Sequence, residues 1–355
     1  MTAPDANAAP FKPVDPTRPV RVAVIGAGAM GRNHLRVLND LEQVDLVATA
    51  DADEETARRA ARRFGIEPYG DFRAMLDEQH PDAVVVAVPT HMHRDTTLAA
   101  IERGAHVLVE KPIAFAVEDG QEMIRSAREA GLLLTVGHIE RYNPAVVELY
   151  RRLQAGELGR VFQIHARRLG PFPPRVRDVG VVIDLATHDV DIMRYLTGSE
   201  VTRVYAETAR RIHTDHEDLV SGLLRFADNS IGVLDINWLT PTKIRELMVT
   251  GEKGMFLVNY LTQDLYFYEN NYVKSDWDAI SRITGVSEGD MLRLRIDKVE
   301  PLKVELEHFV RAVRGEDVQV VSGADGLEAL RIVRTLVQSG LDGTVISIQD
   351  EGEGA

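Results

Sequence analysis

The sequence predicts an α/β chain. An N-terminal doubly wound parallel sheet spans residues 19–140, and a C-terminal α/β domain with a large open, mainly antiparallel sheet spans 141–347. Three observations carry this. Short apolar runs alternate with helical patterns from Val20 to His138. After Asn143-Pro144 the texture changes to longer alternating segments. The 355 residues also exceed the size at which a single core stops growing.

Residues 1–19 carry five prolines and no apolar h-region, so 1–18 reads as a disordered leader rather than a secretory signal. Apolar, β-branched runs at 20–25, 44–50, 83–88, 106–109 and 132–137 lack period-2 polarity and read as strands buried on both faces. Helical patterns fill the gaps at 30–41, 54–64, 72–77, 95–103 and 117–130. Alternation at this spacing predicts parallel pairing with right-handed crossovers. In the second domain, strands are expected at 161–168, 201–209, 219–226, 231–238, 244–250, 255–260 and 264–268. Asp228-Asn229-Ser230 and Gly251-Glu252-Lys253-Gly254 are the hairpin turns. A helix at 182–196 interrupts the sheet, and helices at 302–314 and 325–339 close the chain. Residues 271–300 fit no clear pattern, and 348–355 form a tail.

The net charge of −14 argues against bulk binding to nucleic acid or an anionic membrane. The chain has no cysteine, which removes disulfides, thiol catalysis and thiolate-held zinc. No apolar run is long enough for a transmembrane helix. The expected location is the cytoplasm.

Gly26-Ala27-Gly28-Ala29-Met30-Gly31 joins the first strand to the first helix. Gly26 allows the tight turn, Gly28 lets backbone approach a pyrophosphate, and Gly31 lets helix and strand pack closely. The N–H groups of the first helical turn then face the phosphates. Asp51 ends the second strand twenty positions after Gly31. A carboxylate there accepts from a ribose 2′-hydroxyl and disfavours a 2′-phosphate, so NAD is expected over NADP. The competing reading is a helix-capping Asp, a task open to Asp53 as well. Pro89, Thr90 and His93 follow the 83–88 strand at the carboxyl end of the sheet, where ligands bind in such folds; an ordinary βα loop is the alternative. Glu110-Lys111-Pro112 ends the next strand, and a residue before proline is biased away from helix. Asp184 and His188 are four apart on the 182–196 helix, which stacks them on one face either as an acid–base pair or as a plain surface pair.

The glycine run, Glu110-Lys111-Pro112, Asp184–Asp191, the Glu305–Phe309 stretch and Ser322–Gly326 together resemble the glucose–fructose oxidoreductase / inositol dehydrogenase (Gfo/Idh/MocA) family, over about residues 20–347. The resemblance implies an N-terminal Rossmann domain and a catalytic lysine, aspartate and histidine at Lys111, Asp184 and His188. It implies a cis bond at Lys111-Pro112, and dimers or tetramers packed through the C-terminal sheet. Physical chemistry fits those roles: an imidazole takes a proton near neutrality, a carboxylate orients it, and an ammonium stabilises a developing alkoxide. Hydride transfer needs no metal, and none is expected. Gly137–Pro144, Leu169–Arg175 and Asp178–Asp184 are similar to the branch that oxidises the 3-hydroxyl of UDP-N-acetylglucosamine ahead of an aminotransferase. On that reading Arg141, Tyr142 and Asn143 hydrogen-bond the sugar or order the nicotinamide, and Arg168 and Arg175 bind the sugar nucleotide, with Arg167 and Arg177 close by; the alternative is that the arginines solvate a strand edge or meet another subunit. A dehydrogenase of inositol or a simple sugar would share the three catalytic residues, and a non-catalytic NAD-binding regulator would be expected to lack one. Only Gly180 precedes Asp184 where the family carries several glycines.

Overall fold

The computed structural model describes residues 11–173, 179–212, 215–273 and 285–348, which fall into two compact units. The first contains residues up to Ile139 together with Glu300–Arg331. Its sheet is six-stranded and parallel: β1 (Val20–Ile25), β2 (Val44–Ala50), β3 (Glu67–Tyr69), β4 (Ala83–Val86), β5 (His106–Glu110) and β6 (Leu134–Gly137), in the order β3-β2-β1-β4-β5-β6. Helices α1 (Ala29–Asn39), α2 (Glu54–Phe64), α3 (Phe72–Gln79), α4 (His93–Glu102) and α5 (Val117–Ala130) make the crossovers. The order reverses beside β1, so ligand chemistry is expected at the carboxyl ends of β1 and β4. β3, three residues including Pro68, was not expected from sequence; a run that short shows no periodicity.

Two expectations are corrected here. Residues 11–18 are not a free leader: Val14 is buried, its N–H bonds Val313 O, and the Lys12 N–H bonds Gly131 O. The domain boundary is also not linear in the chain. The helix α8 (Pro301–Val313) packs Leu302, Leu306, Phe309 and Val313 into the core of Val20, Val22, Val24 and Leu38. It therefore belongs to the first unit, because its apolar stripe completes that core.

The second unit, Glu140–Val299 with the residues from Ile332 onward, carries a nine-stranded sheet. Its strands are β7 (Val161–Pro171), β8 (Val201–Ala209), β9 (Leu219–Phe226), β10 (Ile231–Asn237), β11 (Leu239–Gly251), β12 (Gly254–Asn259), β13 (Asp264–Val273), β14 (Gly285–Leu294) and β15 (Ile346–Ser347). They run β14-β13-β12-β11-β7-β10-β9-β8-β15, antiparallel except for β7 with β10. Both expected hairpins are present, and β14 falls in the stretch that sequence could not place. One face is apolar and covered, with Ile164, Ala166, Leu234, Ile236, Leu247 and Val249 buried. The other exposes Leu223. Helices α6 (Pro144–Gln154) and α7 (Thr187–Thr197) belong to this unit, and the division of the chain falls inside α9 (Gly323–Asp342). α6 was missed from sequence, although Asn143 is its N-cap and Pro144 its first residue, a common helix start. Among the described residues, no helix is long and apolar enough to cross a membrane.

Candidate active site

The turn from β1 to α1 has the shape its glycines predict. Gly26 has φ +97°, and a Cβ there would meet Ala87 O at 2.4 Å. A Cβ on Gly31 would meet Gly26 O at 1.8 Å, so helix and loop touch at this point. Gly28 and Ala29 are exposed, and no side chain caps α1. Its first N–H groups, including those of Met30 and Gly31, thus remain available to an anion. Asp51 lies beside this loop. Its Oδ2 accepts from Ala27 N–H at 2.8 Å and its Oδ1 from Asp53 N–H at 3.0 Å. The capping alternative goes to Asp53, which accepts from Glu55 N–H and the Thr56 hydroxyl. Asp51 is a fixed carboxylate at the phosphate turn, and the loop with its acid fits a dinucleotide.

At the end of β5, Glu110 is partly buried and bonded on both oxygens. Oε1 meets His34 Nε2 at 2.7 Å, and Oε2 accepts from Lys111 N–H at 3.2 Å. Burial works against its charge, but the His34 hydrogen bond and the Lys111 charge hold its pKa below the usual carboxylate value. Glu110 thus anchors the Lys111 turn. The Lys111–Pro112 bond is cis, and Lys111 is half-buried. His93, expected at the cofactor, is 1% exposed. Its Nδ1 lies 2.9 Å from Pro112 O and its Nε2 3.0 Å from Val88 O. Either tautomer donates its one N–H to a backbone carbonyl, so the ring ties the β4 loop to the lysine turn. Burial lowers its pKa. Pro89 is exposed and Thr90 half-buried, in the short 3-10 turn ahead of α4.

In the second unit, Val182–Ala186 is wound wider than an α-helix before α7 begins, a local form frequent at functional sites. The Asp184 N–H bonds Gly180 O, and the Val182 N–H bonds Glu217 Oε1 at 3.2 Å. Asp184 and His188 are both half-buried. The neighbouring acids are not. Asp189 takes Arg168 in a fork, Nε to Oδ2 at 2.7 Å and Nη2 to Oδ1 at 3.0 Å, while Arg168 Nη1 reaches Glu140 at 3.0 Å. Asp191 takes Arg141 the same way, at 2.8 and 2.6 Å. Arg168 and Arg141 also lie over the rings of Tyr260 and Tyr195. Burial works against the Arg168 charge, but Asp189 and Glu140 raise its pKa.

Arg141 and Arg168 spend their forks on α7, and Tyr142 is buried. Asn143 donates to Tyr260 O while capping α6. Arg167, on the opposite face of β7, pairs with Glu246 and Asp235. Arg175 and Arg177 lie outside the described residues. The cation that sequence did not single out is Arg245 of β11, paired in register with Arg168 and on the face of Leu247 and Val249. Its Nη1 donates to Leu169 O and Ile244 O. Its Nε and Nη2 have no acceptor among the described residues. Burial and Arg168 lower its pKa, against the pull of Asp189, Glu140 and Asp184. The signal for it was the alternation of 244–250, which puts residue 245 on the covered face. Among the described residues, no group of three His, Asp or Glu is arranged to hold a metal.

Comparison with known proteins agrees with this layout. The model of an oxidoreductase family with an NAD-binding Rossmann fold, GFO/IDH/MocA, matches residues 20–138, and the model of the GFO/IDH/MocA C-terminal domain matches 146–257. The chain is 29% identical to UDP-N-acetylglucosamine 3-dehydrogenase of Acidithiobacillus ferrooxidans over 88% of its own length and 94% of that protein. The solved structure of that enzyme superposes with a TM-score of 0.77, at 26% identity, covering 90% of this chain and 97% of that one. The scyllo-inositol 2-dehydrogenase of Bacillus subtilis is 34% identical over 52% of this chain and 56% of that protein.

Proposed function

The chain belongs to the GFO/IDH/MocA family of NAD-binding oxidoreductases, and on that premise we propose that it oxidises a sugar hydroxyl to a ketone, with the 3-hydroxyl of UDP-N-acetylglucosamine the favoured substrate. The observation that carries the substrate is the near full-length match to a 3-dehydrogenase of that sugar nucleotide. Bound NAD supplies the hydride acceptor. Gly26–Gly31 with the start of α1 hold its pyrophosphate, and Asp51 takes the ribose hydroxyls. The Lys111 ammonium donates to the substrate hydroxyl and stabilises the alkoxide as it forms. His188 takes the proton, and Asp184 orients the imidazole. Arg245, with two uncommitted donors, takes the anionic part of the substrate in place of Arg141 and Arg168. The product ketone would feed an aminotransferase.

A second reading, oxidation of an inositol, is favoured by the higher identity to the inositol enzyme over its shorter match. Thermal denaturation with NAD and either UDP-N-acetylglucosamine or myo-inositol separates the two. A ligand that binds the fold raises the melting temperature with its concentration over its dissociation constant. A rise with the sugar nucleotide alone supports the first reading, and a rise with inositol alone overturns it.

A further inference from the structure

The widened turn that carries Asp184 is held from outside itself. The residue ahead of Val182–Ala186 is Val181, whose side chain cannot accept a hydrogen bond. The first N–H groups of a helical segment have no partner within it. Two of them go to a single residue elsewhere in the same unit. Glu217 takes the Val181 N–H on its main-chain oxygen at 2.9 Å and the Val182 N–H on Oε1 at 3.2 Å. Further along the turn, the Thr187 hydroxyl donates to Ile183 O at 2.7 Å.

Glu217 reaches the turn from a fixed base. Its neighbour Asp218 is fully buried between the ends of β8 and β10. The Asp218 N–H bonds Ala209 O, its main-chain oxygen accepts from Trp238 N–H, and its carboxylate takes the N–H groups of Arg211 and Ile212. The Glu217 carboxyl group lies directly on Gly180. A Cβ on Gly180 would meet Glu217 Oε1 at 2.1 Å, Cδ at 2.2 Å and Oε2 at 2.3 Å. Gly180 is not among the glycines with a left-handed φ, so this close approach is what calls for glycine. It is also the one glycine in Asp178–Asp184, and its oxygen accepts the Asp184 N–H at 3.0 Å. Glu217 thus touches the backbone on which Asp184 stands at both Gly180 and Val182.

We propose that Glu217 is a positioning residue for Asp184: its side chain holds the start of the widened turn through the Val182 N–H, and Gly180 is glycine so that the carboxyl group can reach it. An apolar side chain at 217 cannot accept that N–H, whereas a glutamine can. The kinetic consequence rests on the dehydrogenase reading, in which Asp184 orients the His188 imidazole; the hold on the turn does not. The test uses the full chain as wild type, Glu217→Ala, Glu217→Gln, Gly180→Ala and the double variant Gly180→Ala/Glu217→Ala. Amide hydrogen exchange is followed over residues 180–186, and kcat and KM are measured with NAD and UDP-N-acetylglucosamine.

Glu217→Ala should speed exchange at Val182 about tenfold, since one hydrogen bond to a charged acceptor is lost. It should lower kcat about tenfold and leave KM within about twofold of wild type. Glu217→Gln, whose Oε1 still accepts, should bring both exchange and kcat back to within about twofold. Gly180→Ala should reproduce Glu217→Ala, because the added methyl displaces the carboxyl group, and the double variant should be no worse than either single one. Should Gly180→Ala fail to fold, the two Glu217 variants decide alone. Wild-type exchange in Glu217→Ala, faster exchange with unchanged kcat, no recovery in Glu217→Gln, or additive losses in the double variant would overturn the proposal. If the wild type oxidises no sugar, it is the dehydrogenase reading that fails, and the exchange rates still decide whether Glu217 holds the turn.

Discussion

Replacing Arg168 with methionine distinguishes scaffold from substrate ligand. Methionine fills much of the volume but leaves Asp189, 1% exposed, without its counter-charge and close to Glu140. Breaking a buried pair by removing one partner costs about 3–5 kcal/mol. The change also removes the repulsion between Arg168 and Arg245, opposite one another across β7 and β11. Relief of a cross-strand like-charge pair returns about 0.2–1 kcal/mol. The net loss is roughly 3 kcal/mol. At about 2–4 °C per kcal/mol for a unit of this size, the melting temperature should fall by about 6–12 °C. Urea unfolding followed by circular dichroism gives the free energy, and the KM for the sugar nucleotide is measured where the variant remains folded. KM should stay within about twofold of wild type, since Arg168 does not touch substrate on this account. Adding Asp189→Leu should recover most of the loss, because a pair replaced on both sides leaves no orphan charge. A variant within about 0.5 kcal/mol of wild type but with a much raised KM would refute the reasoning and return Arg168 to the substrate.

Asp51→Ala should erode the preference for NAD over NADP, read as the ratio of kcat/KM values; an unchanged ratio would remove Asp51 from the ribose. Glu110 has a folded pKa held below the ordinary 4.5, so its stabilisation is complete above that value and is lost as pH falls through the folded one. Glu110→Gln should therefore flatten the acid limb of the stability–pH curve, and an unchanged limb would contradict the His34 pairing. The uncovered face of the second sheet, with Leu223 exposed, should be buried between copies of the chain. Light scattering at micromolar concentration is then expected to give a dimer or larger, and a monomeric mass would contradict this.

Much of the architecture was legible because burial on both faces leaves an unmistakable record. The runs at β1 and β4 contain one polar residue between them, Arg21, and the glycine turn between β1 and α1 obeys steric demands that only glycine meets. Chain order misled where packing ignores it: α8 reads as an amphipathic helix from sequence, but nothing in its pattern says which core it joins. Asn143 was assigned to substrate from the resemblance of Gly137–Pro144 to a branch of the family, while the helix-start chemistry of Asn143-Pro144 went unread. Arg141 and Arg168 show the same limit. A sequence displays a cation but not the anion that occupies it, and those anions, Asp189 and Asp191, lie fifty residues or fewer away on α7 among buried Val190, Ile192 and Met193. Acids on an otherwise buried helix face must find partners, and that was the available clue.

The most direct test of the account is hydride transfer itself. The purified chain is incubated with NAD, a panel of UDP-sugars and myo-inositol, alone and with an aminotransferase and glutamate to draw off the ketone, while NADH absorbance is followed. The account predicts NADH formation with UDP-N-acetylglucosamine that the aminotransferase increases and that Lys111→Met abolishes. NADH formation from inositol alone, or undiminished turnover by the Lys111→Met variant, would contradict it.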